Sequence, residues 1–292
     1  MHNNCVITLN KRIRIMRKNI FLALILLFTS QGIFAQRGSR SSEFGVFLGG
    51  SYYLGELNVN GHFNSLTQPA GGVIYRYNFN PRFSLKGNLL FGNVMGDDSR
   101  SGVPSQLTRN YSFKSPINEL AIEMEFNFLP FTTGDPKTPF TPYVFGGVAV
   151  FKFNPQGQIG NNWYALQPLG TEGQGTPLNS DKKYKLIQMS LPFGVGLKFN
   201  IATRVGVSLE WGFRKTFTDY IDDVSKNYVD PTQLATYNGA TAAYFSDTSV
   251  NTTPGTNIGK QRGDASTKDW YSFAGIMLTF KLKGKNGQCY GY

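Results

Sequence analysis

Apolar and polar residues alternate with a period of two in eight segments of the chain. These are Glu43–Gly55, Ala70–Asn78, Phe83–Met95, Ser115–Phe128, Thr141–Phe153, Tyr184–Phe199, Val205–Thr218 and Asp269–Leu282. A period of two places successive side chains on opposite faces of a strand. Most segments reach the ~9–11 residues that a tilted strand needs to cross a bilayer, against ~5–6 for ordinary strands. In the fourth segment Leu120, Ile122, Met124, Phe126 and Phe128 share one face, and Glu119, Ala121, Glu123, Glu125 and Asn127 share the other. In the seventh, Val205, Val207, Leu209, Trp211, Phe213 and Phe217 oppose Gly206, Ser208, Glu210, Gly212, Arg214 and Thr216. Trp211, Phe217, Tyr143, Phe153, Tyr184, Trp270 and Phe280 fall near strand ends, as interfacial girdles do.

The connections carry a second signal. Short ones (Phe79–Arg82, Leu129–Phe140, Asn200–Arg204) alternate with long ones (Glu56–Pro69, Gly96–Lys114, Asn154–Lys183, Asp219–Lys268). Transmembrane barrels have short periplasmic turns and longer external loops. The predicted fold class is therefore all-β: an up-and-down transmembrane β-barrel of about eight antiparallel strands, with N- and C-termini periplasmic. Inward positions read from the alternation include Arg76, Lys86, Lys152, Lys198 and Arg214, with Glu119, Glu123, Glu125 and Glu210. Side chains fill a barrel of this size, and buried charges must pair. The expectation is a lumen plugged by ion pairs; the alternative is a charged conduction path.

Composition changes the picture mainly at the start of the chain. Met16-Arg17-Lys18 precedes the apolar run Ile20–Ala35, which reads as a secretory signal with cleavage after Ala35. Residues 1–35 are assigned to the signal peptide, with 1–15 as an upstream extension, and residues 36–292 to the barrel domain. Without the leader the chain keeps 24 basic and 18 acidic residues. That excess of +6 is spread along the chain and gives no clustered patch for nucleic acid. Charged residues are only 16% of the chain and aromatics 14%.

Chemistry-bearing motifs are few. The leader carries Cys5, and the remaining cysteine, Cys289, reads as an incidental thiol. His62 is the one histidine after the leader and has no companions for a catalytic triad. Neither a metal-ligand spacing nor a phosphate-cradling loop is found. No catalytic, cofactor-binding or metal-binding residues are assigned, no cofactor is implied, and the chain is expected not to be an enzyme. Asp219, Asp222 and Asp223 open the last long loop; the favoured reading is a solvated loop base, and calcium binding through oxygen ligands is the alternative. Trp163, Tyr164, Leu166, Pro168 and Leu169 give the third long loop apolar content, for packing over the barrel mouth or against a partner.

Several long strings, among them GGSYYLGELN (Gly49–Asn58), GGVIYRYNFNPRFSLKGN (Gly71–Asn88), FTPYVFGGVAVFKFNP (Phe140–Pro155), WYALQPLGTEGQG (Trp163–Gly175) and EWGFRKTFTDYIDDVS (Glu210–Ser225), resemble the PorG-like outer-membrane proteins of the type IX secretion system. EFNFLPF (Glu125–Phe131) does so too. The resemblance covers most of the chain after residue 35 and is weakest over Asn227–Lys268. It implies a non-enzymatic component of the cell outer membrane, surrounded by outer-membrane lipid, that anchors a periplasmic ring. The implied partners are a ring lipoprotein and its companion (a PorK/PorN-like or GldK/GldN-like pair), serving protein secretion and, in some relatives, gliding motility. Topology then points the ring contact to the three short turns and the tail Lys283–Tyr292. A small-solute or lipid-handling barrel is the competing reading.

Overall fold

The computed structural model describes residues 40–58, 61–250, 252–253 and 255–282. The predicted leader, Cys289 and the tail Lys283–Tyr292 lie outside the described residues. Among the described residues ten strands form, in chain order: β1 Ser41–Leu54, β2 Gln68–Asn78, β3 Phe83–Asp97, β4 Ser112–Asn127, β5 Phe140–Phe153, β6 Gln156–Ile159, β7 Asn162–Ala165, β8 Ile187–Ala202, β9 Val205–Thr216 and β10 Trp270–Lys281. Eight of them make the wall. Each pairs antiparallel with its neighbours in the order β3-β2-β1-β10-β9-β8-β5-β4, and β3 pairs with β4 to close the barrel. Closure leaves no open sheet edge in the wall, the condition for a sheet to stand in lipid. The eight predicted segments match these wall strands to within a few residues at each end.

Outward side chains around the whole circumference are large, apolar and exposed: Leu48 on β1, Val73 on β2, Phe91 on β3, Leu120 and Ile122 on β4, Val148 on β5, Met189 and Val195 on β8, Leu209 on β9 and Ile276 on β10. A continuous apolar belt of this kind is far beyond the patches a soluble surface carries, and it fits a bilayer. At the short-turn end the belt finishes in aromatic pairs, Phe83–Phe126 (5.1 Å), Phe126–Phe128 (5.4 Å) and stacked Phe140–Phe199 (5.5 Å). Trp211, Phe217, Trp270 and Phe280 also stand on the outside. Tyr143 and Phe153, predicted for the girdle, instead point inward and are buried. Tyr184 stands before β8 and stacks on Tyr220 at 4.5 Å within the loops.

Strand β5 explains the main error of facing. Both of its faces are apolar over most of its length, so period two does not say which one meets the lumen. Tyr143, Phe145, Ala149, Phe151 and Phe153 are buried inside, while Val144, Val148, Val150 and Lys152 face out. Lys152, expected inside, is therefore an outward residue. Glu43, which the alternation did not single out, is inside.

The long connections are folded rather than loose. They hold the β6–β7 hairpin, a 3-10 turn at Asp98–Arg100, and three short helices: α1 Pro104–Arg109, α2 Pro231–Asn238 and α3 Ala240–Ser246. Asp230 caps α2 by accepting from the Thr232 and Gln233 amides, with Pro231 at the first helical position, where its missing N–H costs nothing.

Candidate functional site

The lumen is occupied by its own charges. Glu43, Arg76, Lys86 and Glu123 stand opposite one another along one hydrogen-bonded row through β1, β2, β3 and β4. Arg76 lies 2.8 Å from Glu43 and 2.8 Å from Glu125. Lys198 reaches Glu125 at 2.6 Å, Lys86 reaches Glu123 at 2.9 Å and also contacts Glu210, and Arg214 reaches Glu119 at 3.1 Å. The Tyr143 hydroxyl donates to Glu210 (2.6 Å) and the Tyr271 hydroxyl to Glu119 (2.7 Å). Every wall strand thus supplies a member of one polar network. All its charged members are buried, where a lost partner leaves an uncompensated charge in low dielectric. The expected ion-paired plug is present, but its members are four cations and five carboxylates.

Aromatic rings complete the filling. Lys86 lies 4.5 Å from the Phe145 ring centre and Lys198 4.5 Å from that of Tyr143. Gly194 and Gly212 make room for Phe145: a Cβ at either would come within 2.6 and 2.7 Å of its ring. Toward the loop end Phe47, Leu90, Val94, Ile117, Phe151, Phe153 and Phe273 form an apolar core continuous with Leu57, Leu166, Ile221, Val224 and Phe245 of the loops.

The turn end is closed by residues 128–139. Phe131 and Thr133 are buried, and the Thr133 hydroxyl donates to Glu43 at 2.5 Å inside the barrel. Asn200 holds this turn by donating to the carbonyls of Thr132 (2.9 Å) and Thr138 (2.8 Å) and accepting from the Gly134 amide (2.9 Å). Gly134 has φ +85°, and a Cβ there would meet the Thr203 carbonyl at 1.8 Å.

The loop end is closed by a cap built on buried carboxylates. Glu172 accepts from the Ser225 amide (2.8 Å) and from Arg262 (3.0 Å), joining the third and fourth long loops. Asp223 accepts from Thr171 (2.5 Å) and Tyr184 (2.6 Å). Asp98 takes a two-nitrogen contact from Arg109 at 2.7 and 2.9 Å. The Tyr53 hydroxyl sits 2.8 Å from Asp222 and 2.6 Å from Asp269. Burial pushes Asp223 up to about 6 and Asp219 up to about 7. Asp222 and Asp269 rise well above the usual carboxylate range, through burial and then through the neighbouring charges of Asp269 on Asp222 and Asp219 on Asp269. The solvated loop base expected for Asp219, Asp222 and Asp223 is overturned: all three are buried, because their loop folds back into the barrel mouth. Among the described residues no three His, Cys, Asp or Glu side chains are placed to hold a metal ion.

The other singled-out residues lie apart. His62 packs outside the wall, its Nδ1 3.1 Å from the Tyr52 hydroxyl and its ring against Trp211. Leu166 is buried in the cap and Tyr164 packs near Phe245, so the third loop's apolar content serves the protein's own core. Trp163 lies outside, with the Lys114 ammonium 4.1 Å from its ring centre. An open cleft of about 800 Å³ on the cap is lined by Lys226, Tyr228, Asp230, Gln233 and Asp264, among others. Sequence reasoning missed Glu43 and the cap carboxylates Glu172, Asp98 and Asp269; only the period-two phase of β1 pointed to the first.

A closed eight-stranded antiparallel barrel with an apolar exterior and a self-filled interior defines a transmembrane β-barrel of the outer-membrane type. The chain belongs to the family described as a domain of unknown function, DUF6089, whose model matches residues 18–257. No curated protein sequence matches it. Among solved structures it is similar to Ail, the attachment invasion locus protein of Yersinia pestis (10% identity, TM-score 0.39, covering 84% of this chain and 99% of that one). It is similar too to Neisserial surface protein A (8%, 0.40, 84% and 99%) and to the N-terminal β-barrel domain of Pseudomonas aeruginosa OprF (11%, 0.35, 84% and 100%). These are distant likenesses.

Proposed function

We propose that this protein is a non-enzymatic anchor in the outer membrane, tethering the periplasmic lipoprotein ring of a type IX secretion machine. The observation that supports it is a lumen filled by ion pairs and closed at both ends, which offers neither a path nor a reaction chamber. The resemblance to PorG-like proteins supplies the machine. In this reading the short turns and both termini face the periplasm and the capped loops face outward. Each short turn presents an exposed base, Arg82, Lys137 or Arg204. The middle turn's Phe131 and Thr133 are consumed by the plug, leaving its tip for a partner.

The test is mild crosslinking, detergent solubilisation and capture of the tagged protein, with partners identified by mass spectrometry and an unrelated barrel as control. The expected result is enrichment of a ring lipoprotein and its companion, reduced when Arg82, Lys137 and Arg204 are all replaced by Glu. A folded, abundant barrel that recovers neither would overturn the anchor role.

A further inference from the structure

The outward face of the wall is not uniform around the barrel. On β4, β5, β8 and β9 the described outward positions carry no carboxylate, yet the loop-end rim of this arc carries four lysines. They are Lys114 on β4, Lys152 on β5, Lys185 just before β8 and Lys215 on β9. Lys152, Lys185 and Lys215 are exposed, and among the described residues none of the four forms an ion pair. The opposite arc is different: β1, β2 and β3 present no outward base, and Asp97 stands at the loop-end limit of β3.

Below Lys215 the same wall is grooved. A depression of about 410 Å³ runs over β8, β9 and β10, lined by Val195, Leu209, Trp211, Ala274 and Ile276 and roofed by Phe63 of the first loop. Phe63 is held at φ +52°, a conformation a bulky residue adopts only at a cost. Its ring rests 5.5 Å from Trp211, and Trp211 in turn donates to Tyr52 at 2.7 Å. Trp211 lies four residues from Lys215 on the same face, about 13 Å along the strand. That separation suits a headgroup at the rim with an acyl chain descending into the groove.

We infer that this arc is a binding site for a phosphate-bearing lipid of the leaflet on the loop side. Lys152, Lys185 and Lys215 receive the phosphate and the Phe63–Trp211 groove receives a chain. Three facts converge on that occupant: uncompensated positive charge at the interface, its confinement to one arc, and its continuity with a wall that already meets lipid. Lysines at a membrane surface attract anionic lipid by an amount worth about fivefold in affinity each. The inference requires only that the barrel be embedded, and stands whether or not it anchors a ring.

The test uses the full protein with Trp163→Phe and Trp270→Phe, leaving Trp211 as reporter, in phosphatidylcholine vesicles. A minor fraction of lipid is replaced by brominated phosphatidic acid or by brominated phosphatidylcholine, and Trp211 quenching is compared. The phosphomonoester lipid is expected to quench at least about fivefold more per mole. Replacing Lys152, Lys185 and Lys215 by Ala should bring the ratio close to one, while Lys137→Ala at the opposite rim leaves it unchanged. A heat-modifiable gel band verifies folding throughout. Equal quenching by both lipids, a preference that survives the triple substitution, or an equal loss with Lys137→Ala would each overturn the assignment.

Discussion

The lumen and the cap both bury many charges, and they solve the problem differently. In the lumen carboxylates face lysines and arginines, so opposite charge is the compensation. In the cap the fourth-loop aspartates answer mostly to hydroxyls and backbone amides: Asp222 to Tyr53 and the Val224 amide, Asp269 to Tyr53 and the Ile221 amide. A hydroxyl has one proton, so Tyr53 cannot donate to both carboxylates. The second short contact is satisfied when a carboxyl carries a proton of its own. The lumen is thus held by opposite charge, and the cap is a proton-dependent device.

The largest expected effect breaks the lumen side of this contrast. Glu125 accepts from Arg76 and Lys198, and Lys86 stands 3.5 Å away. Glu125→Ala takes from the buried Lys198 its one carboxylate partner among the described residues and removes a second partner from Arg76 and Lys86, and should lower stability by about 3–5 kcal/mol, read by equilibrium unfolding in micelles. A cost under about 1 kcal/mol would show that water enters the lumen and that the plug is not sealed.

The next effect sharpens the cap side. Because burial raises Asp219 and Asp223, the folded cap holds protons that the unfolded chain releases near its ordinary pKa. Stability is full below about pH 4 and falls as pH rises through about 6 and 7. Amide exchange protection over Tyr220–Val224 should therefore decline between these limits, while the β4 amides stay level. Asp219→Asn should remove the upper part of the decline. Protection that increases with pH would reverse the assignment. Tyr53→Phe should cost about 1–3 kcal/mol, by removing the hydroxyl that the buried Asp222 and Asp269 share.

The two regions were unequally legible in the sequence for a physical reason. Lumen charges are fixed by a local rule, since alternation within one strand decides the face. Arg76, Lys86, Glu119, Glu123, Glu125, Glu210, Lys198 and Arg214 were all placed correctly on that basis. The cap depends on contacts between distant loops: Glu172 meets Ser225 and Arg262, and Tyr53 meets Asp222 and Asp269. No period relates such residues, so Asp219–Asp223 read as a solvated polar stretch. Strand β5 failed for the opposite reason, having apolar residues on both faces and so no phase to read.

That failure also frames the smallest expected effect. Lys152 and Lys198 are the same residue type, and alternation alone assigned both to the lumen. The structure separates them: Lys198 is buried on Glu125 and Lys152 lies outside. Lys152→Ala should change stability by less than about 0.5 kcal/mol, as surface substitutions do. Its neighbour offers the complementary reading, because Phe151 is fully buried between Tyr271 and Phe153, and Phe151→Ala should cost about 3–5 kcal/mol. The pair decides the phase of β5 without any structure. A large cost at Lys152 together with a small one at Phe151 would rotate the strand by one residue. Lys152 would then return to the lumen and the charge there would balance at five against five.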